Sequence, residues 1–329
     1  MPEEPVGQWP VPAALDGERI DRALALITGL SRREVNEVLD QRRVQVSRKV
    51  VTSRSRRVRV GERVAVRGDL HPERSPVPVA DPAVDVPVVY EDLEIIVVDK
   101  PAGLVVHPGN GHQGGTLVHG LLARFPDLAA MAVGDTLERP GIVHRLDKGT
   151  SGLLVVARTP TVRDALIDQL SRRSVHREYQ ALVFGTLASD AGLIDAPLGR
   201  SDHDPSRVAI RTGGRPARTR YAVESRFVDP VASTLIRCRL ETGRTHQIRV
   251  HLTSIGHPVA GDDRYGGRRR QGWPDLPPGR PFLHAAALGF DHPGRGGPVH
   301  FTSELPADLV AVLAGLSPEP AARPAEPGH

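Results

Sequence analysis

At 329 residues and 39% hydrophobic content, the chain is long enough for one large unit and one small one, each with a core of its own. No apolar run approaches the roughly 18 residues of a membrane span, and the acidic, proline-rich start MPEEPVGQWP has no apolar targeting segment, so a cytoplasmic protein without membrane contact is expected. A single cysteine, Cys238, excludes an intrachain disulfide and offers no metal-ligand spacing, while the net charge of +4 admits a polyanionic partner.

In chain order, residues 1–12 read as a disordered start and residues 13–70 as a small separate unit. Its first helix is predicted around Arg19 to Ile27 and its second after Ser31, where Ser31 and Glu34 have the spacing of a capping box and Val35, Val38 and Leu39 form one apolar stripe. Arg32 and Arg33 then fall in the first turn, where the helix dipole disfavours cations and a bound phosphate would relieve them. The alternating segments Val44 to Val46 and Val58 to Val66 read as strands, the latter around a glycine turn.

Ten basic residues against three acidic ones between Ser31 and Val60, Arg42 and Arg43 among them, concentrate positive charge in this unit. Placement carries more weight than number, because only Lys49, Lys100 and Lys148 of the 43 basic residues are lysine and an arginine bias also accompanies GC-rich coding. Residues 71–87 carry five prolines and read as a semi-rigid linker. The large unit is placed at 88–316 and a polar, proline-rich tail, expected to be disordered, at 317–329.

Within the large unit, strands are predicted at Ile95 to Val98, Leu153 to Ala157, Tyr179 to Val183, Thr219 to Val223 and Thr234 to Leu240. Helices are predicted at Thr116 to Phe125, Thr161 to Gln169 and Gln247 to Ser254. Strands and helices do not alternate regularly, which argues for an α+β class with a mixed, largely antiparallel sheet. Cys238, flanked by Ile236 and Leu240, reads as a core strand residue.

The stretch HRLDKGTSGLLVVA, His144 to Ala157, sets an ionisable carboxylate, Asp147, between Arg145 and Lys148 in a glycine-punctuated turn anchored by a buried strand. A lone Asp in such a turn more often bonds its own backbone. Two further segments change the balance: REYQALVFG, Arg177 to Gly185, and LETGRTHQIRVHL, Leu240 to Leu252. Rival motifs are incomplete. Gly109, Gly111 and Gly114 spell GxGxxG, but Pro108 breaks the strand entry that a dinucleotide-binding oxidoreductase needs. His246 and His251 lie five apart, which spreads them around a helix and suits structural hydrogen bonding better than metal binding. GTSG, Gly149 to Gly152, lacks the final glycine of a nucleophile elbow.

These segments, with EDLEIIVVDKPAGLVVHP, GHPVAGDDRYG and LHAAALGFDHP, resemble the RluA-type RNA pseudouridine synthases, especially the branch acting on large-subunit ribosomal RNA. The family commonly carries an acidic residue where this chain has Gly149. The small unit resembles the S-four-like (alpha-L) RNA-binding domain, with Ser47 and Arg48 in place of the usual Asn-Gly turn.

The resemblance implies isomerisation of uridine to pseudouridine with Asp147 as nucleophile, Arg249 as its pairing arginine and Tyr179 stacking on the uracil. It also implies an everted nucleotide with Arg145 as wedge, His144 beside it, and RNA contacts from Arg32, Arg33, Arg42 and Arg43. Arg207, Arg211, Arg215 and Arg218 stand in a basic loop that can grip phosphates. No redox step occurs, so neither a nucleotide cofactor nor a metal is expected, and the chain is expected to work as a monomer. A non-catalytic RNA-binding assembly factor on the same fold is the rival reading.

Overall fold

The computed structural model describes residues 5–30, 32–68, 78–109, 114–133, 136–266 and 276–320. Two compact units emerge, Met1–Val77 with Val133–Glu138, and Pro78–Ala132 with Arg139–His329.

In the first unit, β1 (Pro5–Pro10) precedes the helices α1 (Ile20–Thr28) and α2 (Arg32–Asp40), which are followed by β2 (Val44–Val46), β3 (Lys49–Val50) and β4 (Arg63–Arg67). The sheet order is β1-β4-β2-β3. Apolar faces of both helices close on it through Ile20, Leu24, Val35, Leu39, Val44 and Val64. Gly29, left-handed at φ 74°, ends α1 where a side chain would be strained. Ser47 and Arg48 take left-handed φ values of 48° and 69°, so the β2–β3 hairpin forms without the glycine that such a turn favours.

Three expectations for this unit change. The start is not disordered from residue 5: β1 pairs with β4 from Gly7↔Val66 to Pro10↔Arg63, and Trp9 packs on the core, so backbone pairing outweighs a polar, proline-rich composition. Val58 is not in a strand; its backbone closes the loop onto Gly17 and Glu18 instead. Ser31, with its predicted cap, lies outside the described residues, as do the side chains of Arg32 and Arg33.

The second unit opens with β5 (Val88–Glu91), β6 (Ile95–Lys100), α3 (Leu117–Arg124), β7 (Ser151–Ala157), α4 (Pro160–Arg172) and β8 (His176–Phe184). It continues through β9 (Ala191–Asp195), β10 (Leu198–Arg200), β11 (Val208–Ile210), β12 (Arg218–Asp229), β13 (Ser233–Leu240) and α5 (Gln247–Ser254). The end comprises β14 (Leu283–Asp291), β15 (Pro298–Thr302), α6 (Ala307–Ala314) and β16 (Ser317–Pro318).

Among the described residues, a ten-stranded sheet runs β16-β12-β13-β8-β14-β7-β6-β5, with β15 beside β14 and β9 beside β12. The β14–β7 pair is parallel and the other pairs are antiparallel, which is the mixed α+β arrangement expected. All seven residues of β7 are buried, so Leu153 to Ala157 reads as a continuous apolar run for a physical reason: both its faces are covered. Helices α3 and α4 cover one core through Leu117, Leu121, Val162 and Leu166, while α6 closes a second around Phe184, Phe227 and Phe282.

Where β7 and β14 meet, a Cβ on Gly152 would lie 2.4 Å from the Ala285 carbonyl, so only glycine allows the strands to approach this closely. Two boundaries also shift. Residues 78–87 are not linker: Val86 is buried against α3, where a Cβ on Gly120 would meet it. Ser317–Pro318, assigned to the tail, pairs with β12, and residues 321–329 lie outside the described residues. Residues 69–77, the rest of the proline-rich segment, also lie outside them.

Candidate active site

The loop carrying Asp147 runs into β7, and three separate fastenings hold it. Thr150 N–H donates to the Asp147 carbonyl at 3.1 Å, closing the turn. Beneath it, Lys100 Nζ donates to the carbonyls of Pro101 (2.8 Å), Leu104 (2.9 Å) and Lys148 (3.3 Å). Burial pushes this amine down to about 7, opposed by Asp147 and Asp99. From the far side, Arg280 donates to the Gly149 carbonyl at 2.8 Å and to Ser151 Oγ at 3.0 Å, and is itself held by Asp308. A Cβ on Gly149 would fall 2.1 Å from the Gly279 carbonyl, so an acidic side chain has no room at that position.

Opposite the loop, α5 presents Arg249. Its Nη1 donates to Asp147 Oδ2 at 2.9 Å, bringing together two residues 102 apart in sequence. Asp262, fully buried, grips the same guanidinium in a fork, accepting from Nε at 2.7 Å and Nη2 at 2.8 Å. The Arg249 guanidinium also lies over the Tyr265 ring, 5.1 Å from its centroid. Burial would lower the arginine's pKa, but its bonds to Asp262 and Asp147 overcome this and raise it. Arg249 is therefore a fixed cation whose one remaining arm is aimed at Asp147.

Asp262 and Tyr265 belong to the site and no role was expected for them. Their signal stood in GDDRYG: an acid and an aromatic, fixed in spacing, after a helix bearing a buried arginine. His246, left-handed at the start of α5, places Nε2 3.8 Å from Asp147 Oδ1 and Nδ1 2.8 Å from the Tyr265 hydroxyl. Burial lowers its pKa, which keeps the ring neutral near pH 7. His251, by contrast, spends both nitrogens on Thr219 (2.9 Å) and Ala196 (3.0 Å), the structural role expected of it.

Asp147, His246 and Arg249 line a cavity of about 840 Å³ together with His144, Arg145, Tyr179 and a wall of arginines. Tyr179 shares the inward face of β8 with Arg177, since both stand at alternate buried positions of the strand. Burial pushes its phenol up to about 12, so it stays protonated at neutral pH, and among the described residues its hydroxyl has no protein hydrogen-bond partner.

Arg145 is exposed at the cavity, free to reach outward. His144 is not a cationic contact: its Nε2 accepts from Val155 N–H at 3.2 Å and burial pushes it down to about 3. Of the basic loop, Arg207, Arg211 and Arg218 pair with Asp204, Asp202 and Asp195, and only Arg215 lines the cavity. Arg42 is exposed in the first unit, whereas Arg43 turns back to the Arg67 carbonyl (2.7 Å) and Gln41 (3.0 Å).

A half-buried carboxylate mounted on a fastened loop, aimed by a clamped guanidinium and sharing its cavity with the buried Tyr179 ring, suits nucleophilic or acid–base work. Among the described residues no cluster of His, Cys, Asp or Glu could hold a metal ion.

Comparison with known proteins points the same way. A family model described as RNA pseudouridylate synthase matches residues 94–254. An RNA pseudouridine synthase of Bacillus subtilis, YlyB, itself uncharacterized, is 41% identical over 91% of this chain and 94% of its own length. Ribosomal large subunit pseudouridine synthase D of Xanthomonas campestris is 42% identical over 96% of this chain and 94% of its own. Among solved structures, human RNA pseudouridylate synthase domain containing 1 superposes with a TM-score of 0.56 at 26% identity, covering 74% of this chain and 92% of that one.

Proposed function

Because the chain belongs to the RNA pseudouridine synthase family, we propose that it converts uridines of large-subunit ribosomal RNA to pseudouridine, with Asp147 as the nucleophile. The single observation that supports this most is the Asp147–Arg249 pair at 2.9 Å in a cavity large enough for a nucleotide. The reaction breaks the bond from the sugar to N1 of uracil and forms one to carbon five. The proton on carbon five leaves, N1 gains one, and no electrons are exchanged with any other molecule, so the isomerisation calls for no redox cofactor.

Arg249 opposes desolvation of the carboxylate and fixes its direction. Tyr179 offers a ring face to uracil and a phenol that remains protonated, which suits it to holding the base. A paired uridine cannot reach the cavity, so it is flipped out at a loss of a few kcal/mol of stacking and pairing. Arg145, exposed at the cavity, takes up the vacated space as a stacking wedge. The first unit, read as S-four-like, contributes phosphate contacts through Arg42 and its basic neighbours, and the enzyme acts as a monomer in the cytoplasm. Names of several relatives as ribosomal large subunit synthases support the choice of RNA.

The test is tritium release from ribosomal RNA labelled with 5-tritiated uridine. The natural protein releases it, and Asp147→Asn reduces the rate by about 10³-fold or more; release that persists in the variant removes Asp147 from the chemistry. Carbodiimide mapping of ribosomal RNA from cells lacking the protein then identifies the uridines.

A further inference from the structure

The charges around Asp147 are matched within the protein, but one buried charge in the same cavity is not. Arg177 is 7% exposed, its Nε is buried without a hydrogen-bond partner, and among the described residues no carboxylate pairs with its guanidinium. The side chain is admitted to this position by a glycine: a Cβ on Gly243 would lie 2.5 Å from Arg177 Nη1. Its charge is felt at His144 and Tyr179, with which it lines the cavity.

The neighbours intensify the field. Arg244, whose Nε donates to the Pro216 carbonyl at 3.2 Å, faces Arg215, Arg173 and Arg177 as like charges, and all four line the cavity. Glu241 is the acid of this wall, and it already accepts from Arg220 at 2.6 Å and pairs with Arg218 at 2.9 Å. A buried guanidinium without a counterion is strongly unfavourable, and the like charges of half-buried Arg244 and exposed Arg173 and Arg215 add to this unless an anion completes the site. A planar fork of N–H donors suits the oxygens of a phosphodiester.

We propose that Arg177 and Arg244 form a subsite for a phosphodiester of the RNA next to the everted uridine, seating the sugar so that its bond to the base faces Asp147. This rests on the reading of the chain as an RNA pseudouridine synthase and adds a role for the arginine wall. Arg177 is a positioning residue: it holds the backbone, and Asp147 acts on the nucleotide so held. Closing a phosphate onto an unmatched cation also offsets part of the loss incurred when the base leaves its stack.

Phosphate ethylation interference tests it. Ribosomal RNA transcript is ethylated at random phosphates, which makes each modified one neutral, then separated into enzyme-bound and free pools and mapped. With the natural protein, ethylation at a phosphate within one nucleotide of the converted uridine excludes the RNA from the bound pool. Arg177→Gln is expected to lose that exclusion while keeping the others, to weaken binding of unmodified RNA about tenfold, and to reduce the slope of log affinity against log salt by roughly 0.7 to 0.9. Arg177→Lys restores the exclusion in part.

An identical interference pattern in the natural protein and Arg177→Gln overturns the subsite, as does the absence of any exclusion beside the converted uridine. If Arg177→Gln does not fold, Arg244→Gln carries the same measurement. Conversion of the same transcript, read by tritium release, separates the two ideas. A natural protein that converts nothing sinks the functional reading, whereas conversion with unaltered interference sinks only the phosphate subsite.

Discussion

Arginine is treated differently in the two units. In the first, Arg19 pairs with Asp21 at 2.9 Å, Arg22 with Glu18 at 3.1 Å, Arg54 with Asp40 at 2.6 Å and Arg56 with Glu62 at 2.8 Å. In the cavity of the second, Arg145, Arg177 and Arg215 meet no acid among the described residues. Exposed pairs such as those of the first unit contribute about 0 to 1 kcal/mol each and cancel much of the local field. The difference teaches that a charge tally measures the potential for binding a polyanion, whereas unmatched charge measures the site. Within the first unit, Arg42, Arg48, Lys49, Arg57 and Arg63 are exposed and pair with no acid among the described residues, Arg42 and Arg48 standing at two turns.

The largest effect expected, after loss of Asp147 itself, tests the matched side of the cavity. Asp262→Asn removes the charge that clamps Arg249 from behind, and a displacement of the guanidinium by about 1 Å is expected to lower kcat about 10²-fold with little change in KM. A fall in affinity with kcat intact would show that the clamp serves binding instead. The next measurement concerns the exposed turns. Arg42→Gln with Arg48→Gln is expected to weaken RNA binding several-fold and to lessen its salt slope by roughly 1 to 2, and an unchanged slope would mean that the first unit does not touch phosphate.

A third experiment concerns a group that the cavity keeps neutral. The unfolded imidazole of His144 binds a proton near pH 6.5, whereas the folded one does so only near pH 3, so folding becomes less favourable as pH falls through that interval. Compared with His144→Gln, whose amide oxygen can still accept from Val155, the natural protein should lose roughly 2 kcal/mol between pH 7 and pH 4.5 in denaturant titrations. Parallel curves would refute it. The smallest effect belongs to the hairpin: Arg48→Gly relieves a left-handed side chain and is expected to stabilise the first unit by about 1 kcal/mol. A lower midpoint would indicate that Arg48 makes contacts worth more than its strain.

Much of this was legible in the chain. The strand after HRLD, the helix QIRVHLTS and the pairing of Arg249 with Asp147 all follow local pattern or resemblance, and each is present. Asp262 was not legible as a clamp, because its contact with Arg249 depends on a turn folding back over α5 and periodicity says nothing of that. Nor were β1 and β16, whose prolines suggest an unpaired chain although their neighbours' edges offer hydrogen bonds to be met. His144 shows a related limit: pattern alone does not reveal that a strand amide occupies its Nε2 while the ring lines the cavity.

The 102-residue span between Asp147 and Arg249 has a further consequence. A nascent chain extends from its amino end, so the aspartate loop is synthesised well before α5, and the Asp262 turn comes 13 residues after Arg249. Through that interval the carboxylate has neither its partner nor the β14 strand that closes against β7. An unfinished copy therefore carries the reactive carboxylate without its aim, and competence arrives only after α5, the Asp262 turn and β14 have all been made.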